Sequence, residues 1–108
     1  MANSYRFLGK ALATASETTL VTAASNETII IKSIRITNNT GNTPTVSMDV
    51  LDNSASAEFT IFNTKSLTAN NSEELLSVPL VLENSDALKV TISSTDSVHI
   101  GISYLSIT

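Results

Sequence analysis

The feature that most constrains the fold of this chain is a strict alternation of apolar and polar residues in short runs. Valine or methionine occupies every second position of Val46–Val50, and the alternation recurs over Leu88–Ile92 and Val98–Ile102. A period of two places one side of a strand in the core and the other in solvent or against a partner. No window has the 3.6-residue period of an amphipathic helix. The pattern therefore predicts an all-β chain.

Turn-forming residues separate these runs at short intervals. Clusters of Asn, Asp, Ser and Thr occupy residues 38–42, 52–54, 69–72, 83–86 and 94–97. Asn and Asp tolerate left-handed backbone and bond to their own chain, so each cluster predicts a tight turn. A chain of 108 residues has room for one domain. We expect a single β-sandwich or jelly-roll of about seven to nine short antiparallel strands. Residues 14–108 would form the sandwich and residues 1–13 an N-terminal arm or first strand.

The isoleucine-rich stretch before the first turn contains a conflict of parity. Ile29 and Ile31 share one parity, whereas Ile34 and Ile36 share the other. In a regular strand, residues of opposite parity point to opposite faces, so one of these two pairs would face away from the core. We therefore predict a β-bulge or sharp bend near Lys32–Ser33 that turns both halves towards the same core. A strand covered on both faces is the alternative.

The C-terminal strand has a similar conflict. Tyr104 keeps the parity of Ile102, but Leu105 and Ile107 have the opposite parity. Either a bulge follows Tyr104, or the last strand exposes apolar residues to a neighbour.

Charge and cysteine content exclude several classes of function. The chain has no cysteine, which removes disulfides, thiolate nucleophiles and zinc sites that need sulfur. Its net charge of −4 disfavours binding to nucleic acid and to anionic membranes. Lys10 interrupts the short apolar run near the N-terminus, so we expect no signal peptide. No stretch approaches the length of a membrane span.

The residues that could carry chemistry do not form a site in the sequence. His99 is the single histidine, and its parity places it on the outer face of a strand, with a turn between it and Asp96. Glu73 and Glu74 are adjacent, so on a strand they point to opposite faces and cannot flank one substrate. We therefore expect no catalytic residue, no cofactor and no enzymatic activity.

Two turns contain oxygen ligands that calcium could use. They are residues 52–54 and residues 83–86, each with at least one aspartate. Neither has the spaced acidic positions and central glycine of a calcium-binding loop. We expect no metal site, and calcium at one of these turns is the alternative.

Several large apolar residues lie outside the alternating pattern. A cluster of such residues on a surface indicates a protein-binding site. The candidate interface residues are Tyr5, Phe7, Leu8, Leu51, Phe62, Leu105 and Ile107. For Phe62, a place at the edge of the core is an equally good interpretation.

The order of strands and turns resembles that of small structural proteins of tailed bacteriophages. The resemblance rests on Tyr5–Gly9, Glu17–Thr22 and Thr28–Asn39, and in the second half on Pro79–Glu83 and Leu88–Leu105. In those proteins a Gly-Asp pair usually stands at the place of Ser85-Asp86, and Val-Pro at that of Thr22-Ala23.

The resemblance implies a virion component with a β-sandwich fold, made in the bacterial cytoplasm. A capsid decoration or cement protein is the first expectation, bound to the major capsid protein and working as a homo-oligomer. A tail, neck or fibre-base protein is the alternative within the virion. A carbohydrate- or receptor-binding module is a further alternative, which the lack of tryptophan disfavours because sugar platforms rely on exposed aromatic rings.

Overall fold

The computed structural model describes residues 2–108, and within them nine strands account for most of the chain. The strands are β1 (Asn3–Leu12), β2 (Thr18–Thr22), β3 (Thr28–Asn38), β4 (Thr45–Asp52), β5 (Ala57–Ser66), β6 (Asn71–Glu74), β7 (Leu80–Leu82), β8 (Ala87–Ile92) and β9 (Val98–Ile107). None of the described residues is helical. It follows that residues 2–108 contain no helix long and apolar enough to cross a bilayer.

The strands form two antiparallel sheets. Sheet A has the order β1-β9-β3-β6, and β7 also pairs with β3 beyond the end of β6. Sheet B has the order β2-β8-β4-β5. The inner faces of the two sheets supply one hydrophobic core. The prediction of an all-β sandwich with seven to nine antiparallel strands is confirmed.

The core is built almost entirely from branched aliphatic side chains. Their spacing follows the alternation in the sequence, because residues of one parity face the opposite sheet. The largest fully buried side chains are Ile29, Ile31, Ile34, Ile36, Val46, Met48, Leu82, Leu88, Val90, Ile92, Ile100 and Ile102.

The predicted irregularity in the isoleucine-rich strand is a β-bulge at Lys32. Ile31 pairs with Tyr104 of β9, and Ser33 pairs with the next residue, Ser103, so Lys32 is the extra residue on β3. All four isoleucines of conflicting parity are therefore buried. The prediction of a bulge near Lys32–Ser33 is confirmed.

The C-terminal strand has no corresponding bulge. Its register with β1 is continuous from Val98 to Ile107. Ser106 takes the core-facing position and its hydroxyl donates to the Glu27 carboxylate, while Leu105 and Ile107 are half-buried on the opposite face. The first alternative, a bulge after Tyr104, is therefore wrong, and the last strand turns Leu105 and Ile107 to the outer face of sheet A.

Candidate functional site

A row of four apolar side chains crosses the outer face of sheet A. The register pairs Tyr5 with Leu105, Leu105 with Ile30, and Ile30 with Val81, so β1, β9, β3 and β7 contribute one residue each. Directly paired residues lie on the same face of a sheet. Tyr5 is 80 % exposed and Val81 is 51 % exposed, while the two residues between them are half-buried. We call these four residues the apolar row.

Phe7 extends this surface towards the middle of the sheet. Its side chain is 72 % exposed, and its ring lies against the paired glycines Gly9 and Gly101. A Cβ atom at Gly101 would lie 3.0 Å from Cε1 of the ring, and one at Gly9 would lie 3.3 Å from Cε2. An aromatic ring beside a glycine in a sheet supplies the packing that the glycine lacks. The glycines thus fix where the Phe7 ring lies.

Four of the seven candidate interface residues come together on this face. They are Tyr5, Phe7, Leu105 and Ile107, and Ile107 lies one step beyond the apolar row, opposite Asn3 and Thr28. Ile30 and Val81 belong to the same surface but are not among the seven candidate residues predicted from the sequence. The parity of both residues could have indicated them. Ile30 follows the buried Ile29 and Val81 precedes the buried Leu82, so each points to the face opposite the core.

The other three candidate residues lie elsewhere. Leu8 and Phe62 are half-buried and pack against the hydrophobic core from the edge strands β1 and β5. Leu51 is half-buried and pairs with Glu58 and Ala87 in sheet B. These three residues do not contribute to the apolar row.

A shallow groove of about 570 Å³ lies beside Phe7 on the same face. Its polar lining includes Arg35, Thr37 and His99. His99 is exposed, as its parity predicted, and it pairs with Ala11 and Thr37 on the neighbouring strands.

The Asp96 carboxylate has its own partners in the turn before β9. It accepts hydrogen bonds from the Ser94 hydroxyl at 2.6 Å and from the Asn42 amide at 2.9 Å. These bonds, chiefly the one from Ser94, lower the pKa of Asp96. The carboxylate is therefore used to hold two turns together.

The two turns considered for calcium are tied to each other by a buried carboxylate. Asp86 is 5 % exposed, and its two oxygens accept the backbone N–H groups of Asn53 and Glu83, each at 2.9 Å. Its backbone carbonyl also accepts the N–H of Ala23. Asp86 thus joins three loops at one end of the sandwich, two through its carboxylate and the third through its backbone carbonyl.

A cluster of carboxylates that no sequence pattern predicted lies on the outer face of sheet B. Glu17, Asp49 and Glu58 can bring one oxygen each within 4.8 Å of the others, an arrangement that could hold a cation. Lys89 lies 3.9 Å from Glu17 and pairs with Asp49, so the cluster already has a positive neighbour. The three residues are far apart in sequence, and only strand pairing brings them together.

No protein-family model matches the chain, and no curated protein sequence is significantly similar to it. Solved structures share its fold. A chain from Bacillus endospore appendages, described as disulfide-linked pili, is 10 % identical with a TM-score of 0.57, and the alignment covers 97 % of this chain and 84 % of that one. A chain of infectious bursal disease virus, Gx strain, is 13 % identical with a TM-score of 0.60, covering 96 % of this chain and 32 % of that one.

A third likeness is looser. The alignment with a capsid chain of cyanophage Pam1 has 14 % identity and a TM-score of 0.45, covering 95 % of this chain and 84 % of that one. The two stronger likenesses establish that this chain has a β-sandwich fold that also occurs in a pilus and in a virus.

Proposed function

We propose that this chain is a structural protein of a tailed-bacteriophage virion, bound to the capsid exterior as a decoration or cement protein. Its partner would be the major capsid protein, and it would be made in the bacterial cytoplasm and carried on the particle. The role is non-catalytic: the protein would stabilise contacts between capsomers by binding across them.

Two observations support an assembly role. The strand-and-turn pattern from Tyr5 to Leu105 resembles that of small structural proteins of tailed bacteriophages. The fold is also similar to chains from a pilus and from a virus, and both of these are repeating assemblies. At such low identity the likeness concerns the fold, so the surface of this chain must carry the argument for its function.

The observation that carries the proposal is the apolar row. Tyr5, Leu105, Ile30 and Val81 come from four adjacent strands, so their positions are fixed by backbone pairing. Fully burying a large apolar side chain contributes about 1.5–3 kcal/mol, and clustered apolar residues on a surface indicate a protein-binding site. With Phe7 beside it, the row forms a surface suited to a flat protein partner.

The test is addition of the purified chain to virus particles that lack it. Bound protein is measured after the particles are sedimented. Tyr5→Ser should reduce binding about tenfold or more, since full burial of a large apolar side chain contributes about 1.5–3 kcal/mol and Tyr5 is 80 % exposed. Val81→Ser should reduce binding about three- to tenfold, because Val81 is 51 % exposed and has about half of that burial left to gain. Val78→Ser is the matched control, since Val78 is 69 % exposed in the loop before β7 and lies near Phe62, away from the apolar row.

The outcomes separate the proposed function from its alternatives. Equal binding of all three variants would contradict a role for the outer face of sheet A. Antibody label on the tail or neck of the particle would identify a tail-associated protein instead. Reproducible binding of the chain to a glycan array, without binding to particles, would favour a carbohydrate-binding module.

A further inference from the structure

Strand β1 has a long free edge. It pairs with β9 over all ten of its residues without a bulge, and it is the outermost strand on that side of sheet A. Beyond its N-terminal end, Ala2 and Thr108 exchange two backbone hydrogen bonds of 2.9 Å each. In an antiparallel pair of strands, hydrogen-bonded and non-hydrogen-bonded residue pairs alternate. Because Ala2 and Thr108 form a hydrogen-bonded pair, the backbone groups of the even-numbered residues of β1 bond to β9. The odd-numbered residues Asn3, Tyr5, Phe7, Gly9 and Ala11 point their N–H and C=O groups away from the sheet.

The other edge strands of the sandwich are short or irregular, whereas β1 is long and regular. On the far side of sheet A, β6 and β7 have four and three residues, and Pro79 precedes β7. In sheet B, the register of β2 shifts once and that of β5 shifts twice. Short strands, prolines and bulges are the means by which proteins prevent edge pairing. Among the described strands, β1 alone is a long, unbulged edge.

The charges on β1 select one register for pairing with a second copy of itself. In the antiparallel register centred on Phe7, Phe7 faces Phe7 of the second copy and Tyr5 faces Gly9. Arg6 then faces Leu8, and Lys10 faces Ser4, so no two positive charges are directly opposed. All five outward-facing residues of each strand would exchange hydrogen bonds.

The two neighbouring registers are unfavourable. Sliding the second strand by two residues one way places Arg6 opposite Arg6, and sliding it the other way places Arg6 opposite Lys10. Like charges directly opposite each other destabilise a strand pair. Shifts of four residues avoid the repulsion but leave two of the five odd-numbered residues of each β1 strand without partners, and a shift of six in one direction places Lys10 opposite Lys10. The register centred on Phe7 is therefore the one that pairs the full length of β1 without placing like charges opposite each other.

We propose that two copies of this chain associate through β1 in the antiparallel register centred on Phe7. The two A sheets then form one continuous sheet related by a two-fold axis, which closes the assembly as a dimer. The outer faces of both copies lie on the same side. The dimer would join two apolar rows and two Phe7 side chains into one surface, and this pairing does not depend on the proposed binding to a capsid.

Cysteine crosslinking tests the register directly, because the chain has no cysteine of its own. In the proposed dimer the two Phe7 Cα atoms lie about 5.5 Å apart, which suits a disulfide. Phe7→Cys should therefore form a covalent dimer under mild oxidation. Tyr5→Cys and Ala11→Cys are controls, because their Cα atoms would lie more than about 13 Å from their counterparts and should not crosslink.

A second pair of variants tests the same register without a change at Phe7. Ser4 is exposed and would face Lys10 of the second copy. Ser4→Glu should lower the dissociation constant of the dimer and Ser4→Lys should raise it, each by about 2- to 30-fold. The range reflects two equivalent pairs between position 4 and Lys10, which the two-fold axis creates. Dissociation constants would be measured by sedimentation equilibrium, with a dimer of twice the 11.4 kDa chain mass.

The proposal is overturned if the wild-type chain stays monomeric at high micromolar concentration. It is also overturned if Tyr5→Cys or Ala11→Cys crosslinks as well as Phe7→Cys, or if the two Ser4 variants have equal dissociation constants. The particle-binding test is separate, since Val81→Ser lies away from β1 and should leave the dimer intact. Loss of dimerisation in Ser4→Lys with retained particle binding would leave the proposed function standing.

Discussion

The carboxylate of Glu74 accepts the backbone N–H of Ile34 at 2.8 Å. It also accepts the Ser33 hydroxyl and the N–H of Leu76. These bonds lie beside the bulge of β3, where the pairing with β6 has ended and that with β7 has not begun. A side chain thus satisfies backbone groups that neither neighbouring strand reaches.

Replacing Glu74 should therefore weaken the fold at the bulge. Glu74→Gln keeps the size of the side chain but replaces one acceptor oxygen by an NH₂ donor. We expect the free energy of unfolding to fall by about 1–2 kcal/mol, since bonds to a charged acceptor are among the stronger ones. Urea unfolding measures the change. Glu83→Gln, at an exposed turn position, is the control and should change the free energy by less than about 0.5 kcal/mol.

The same carboxylate predicts how stability depends on pH. Burial raises the pKa of Glu74, but hydrogen bonds from Ser33, Ile34 and Leu76 and the charge of Arg35 together lower it below its ordinary value of 4.5. Hydrogen bonds from Ser106 and Ala24 lower the pKa of Glu27 as well. A group with a lowered pKa in the folded state stabilises the protein above its unfolded pKa, and this stabilisation is lost as pH falls through the folded pKa.

The melting temperature should therefore be steady from pH 7 to about 5 and fall below about pH 4.5. Glu74→Gln should reduce the difference in melting temperature between pH 7 and pH 3, because it removes one of the carboxyl groups whose pKa is lowered in the folded state. A variant with the same pH dependence as the wild type would show that Glu74 does not contribute to it.

Phe7 and Gly101 should be energetically coupled. A Cβ at position 101 would lie 3.0 Å and 3.1 Å from two ring atoms, so Gly101→Ala should displace the ring. Phe7→Ala should then cost less in the Gly101→Ala background than in the wild type, with a coupling energy of at least about 0.5 kcal/mol. A double-mutant cycle of urea unfolding, at a concentration too low for self-association, measures it. Tyr5→Ala combined with Gly101→Ala should be additive, and coupling there of equal size would contradict a specific contact.

Asp86 should be the most sensitive carboxylate in the loops. It is buried and accepts two backbone N–H groups, so Asp86→Asn leaves one of them facing an NH₂ group. We expect a loss of about 1–3 kcal/mol in the free energy of unfolding. Asp52→Asn is the comparison, because the Asp52 carboxylate bonds to Ser54 and Ala55 within one exposed turn and should cost less. Equal losses would mean that burial of Asp86 is not decisive.

Strand content and the bulge could be predicted because both follow from parity. Ile31 and Ile34 have opposite parity, and one extra residue between them lets both face the core. In the structure that extra residue is Lys32. The place of Leu105 on the outer face of sheet A follows from the same parity, because the register of β9 with β1 continues without a bulge after Tyr104. Alternation records which face a residue takes within its own strand.

The composition of the site could not be predicted in full, because alternation does not encode which strands are neighbours. Val81 joins the apolar row only because β7 pairs with β3 opposite Ile30. Phe62 packs against the core because irregular pairing of β4 and β5 beside Met48 allows Ile61 and Phe62 to face inwards together. Likewise, the bonds of Glu74 to the β3 bulge depend on a sheet order that no local pattern specifies.

The copy number of this chain in purified virus particles tests the proposed role most directly. Quantitative mass spectrometry, with isotope-labelled peptides of this chain and of the major capsid protein, would measure their molar ratio in the particles to which the chain is proposed to bind. A decoration protein should be present at a ratio comparable to that of the capsid protein. A ratio corresponding to a few copies per particle, or absence from the particle, would contradict it.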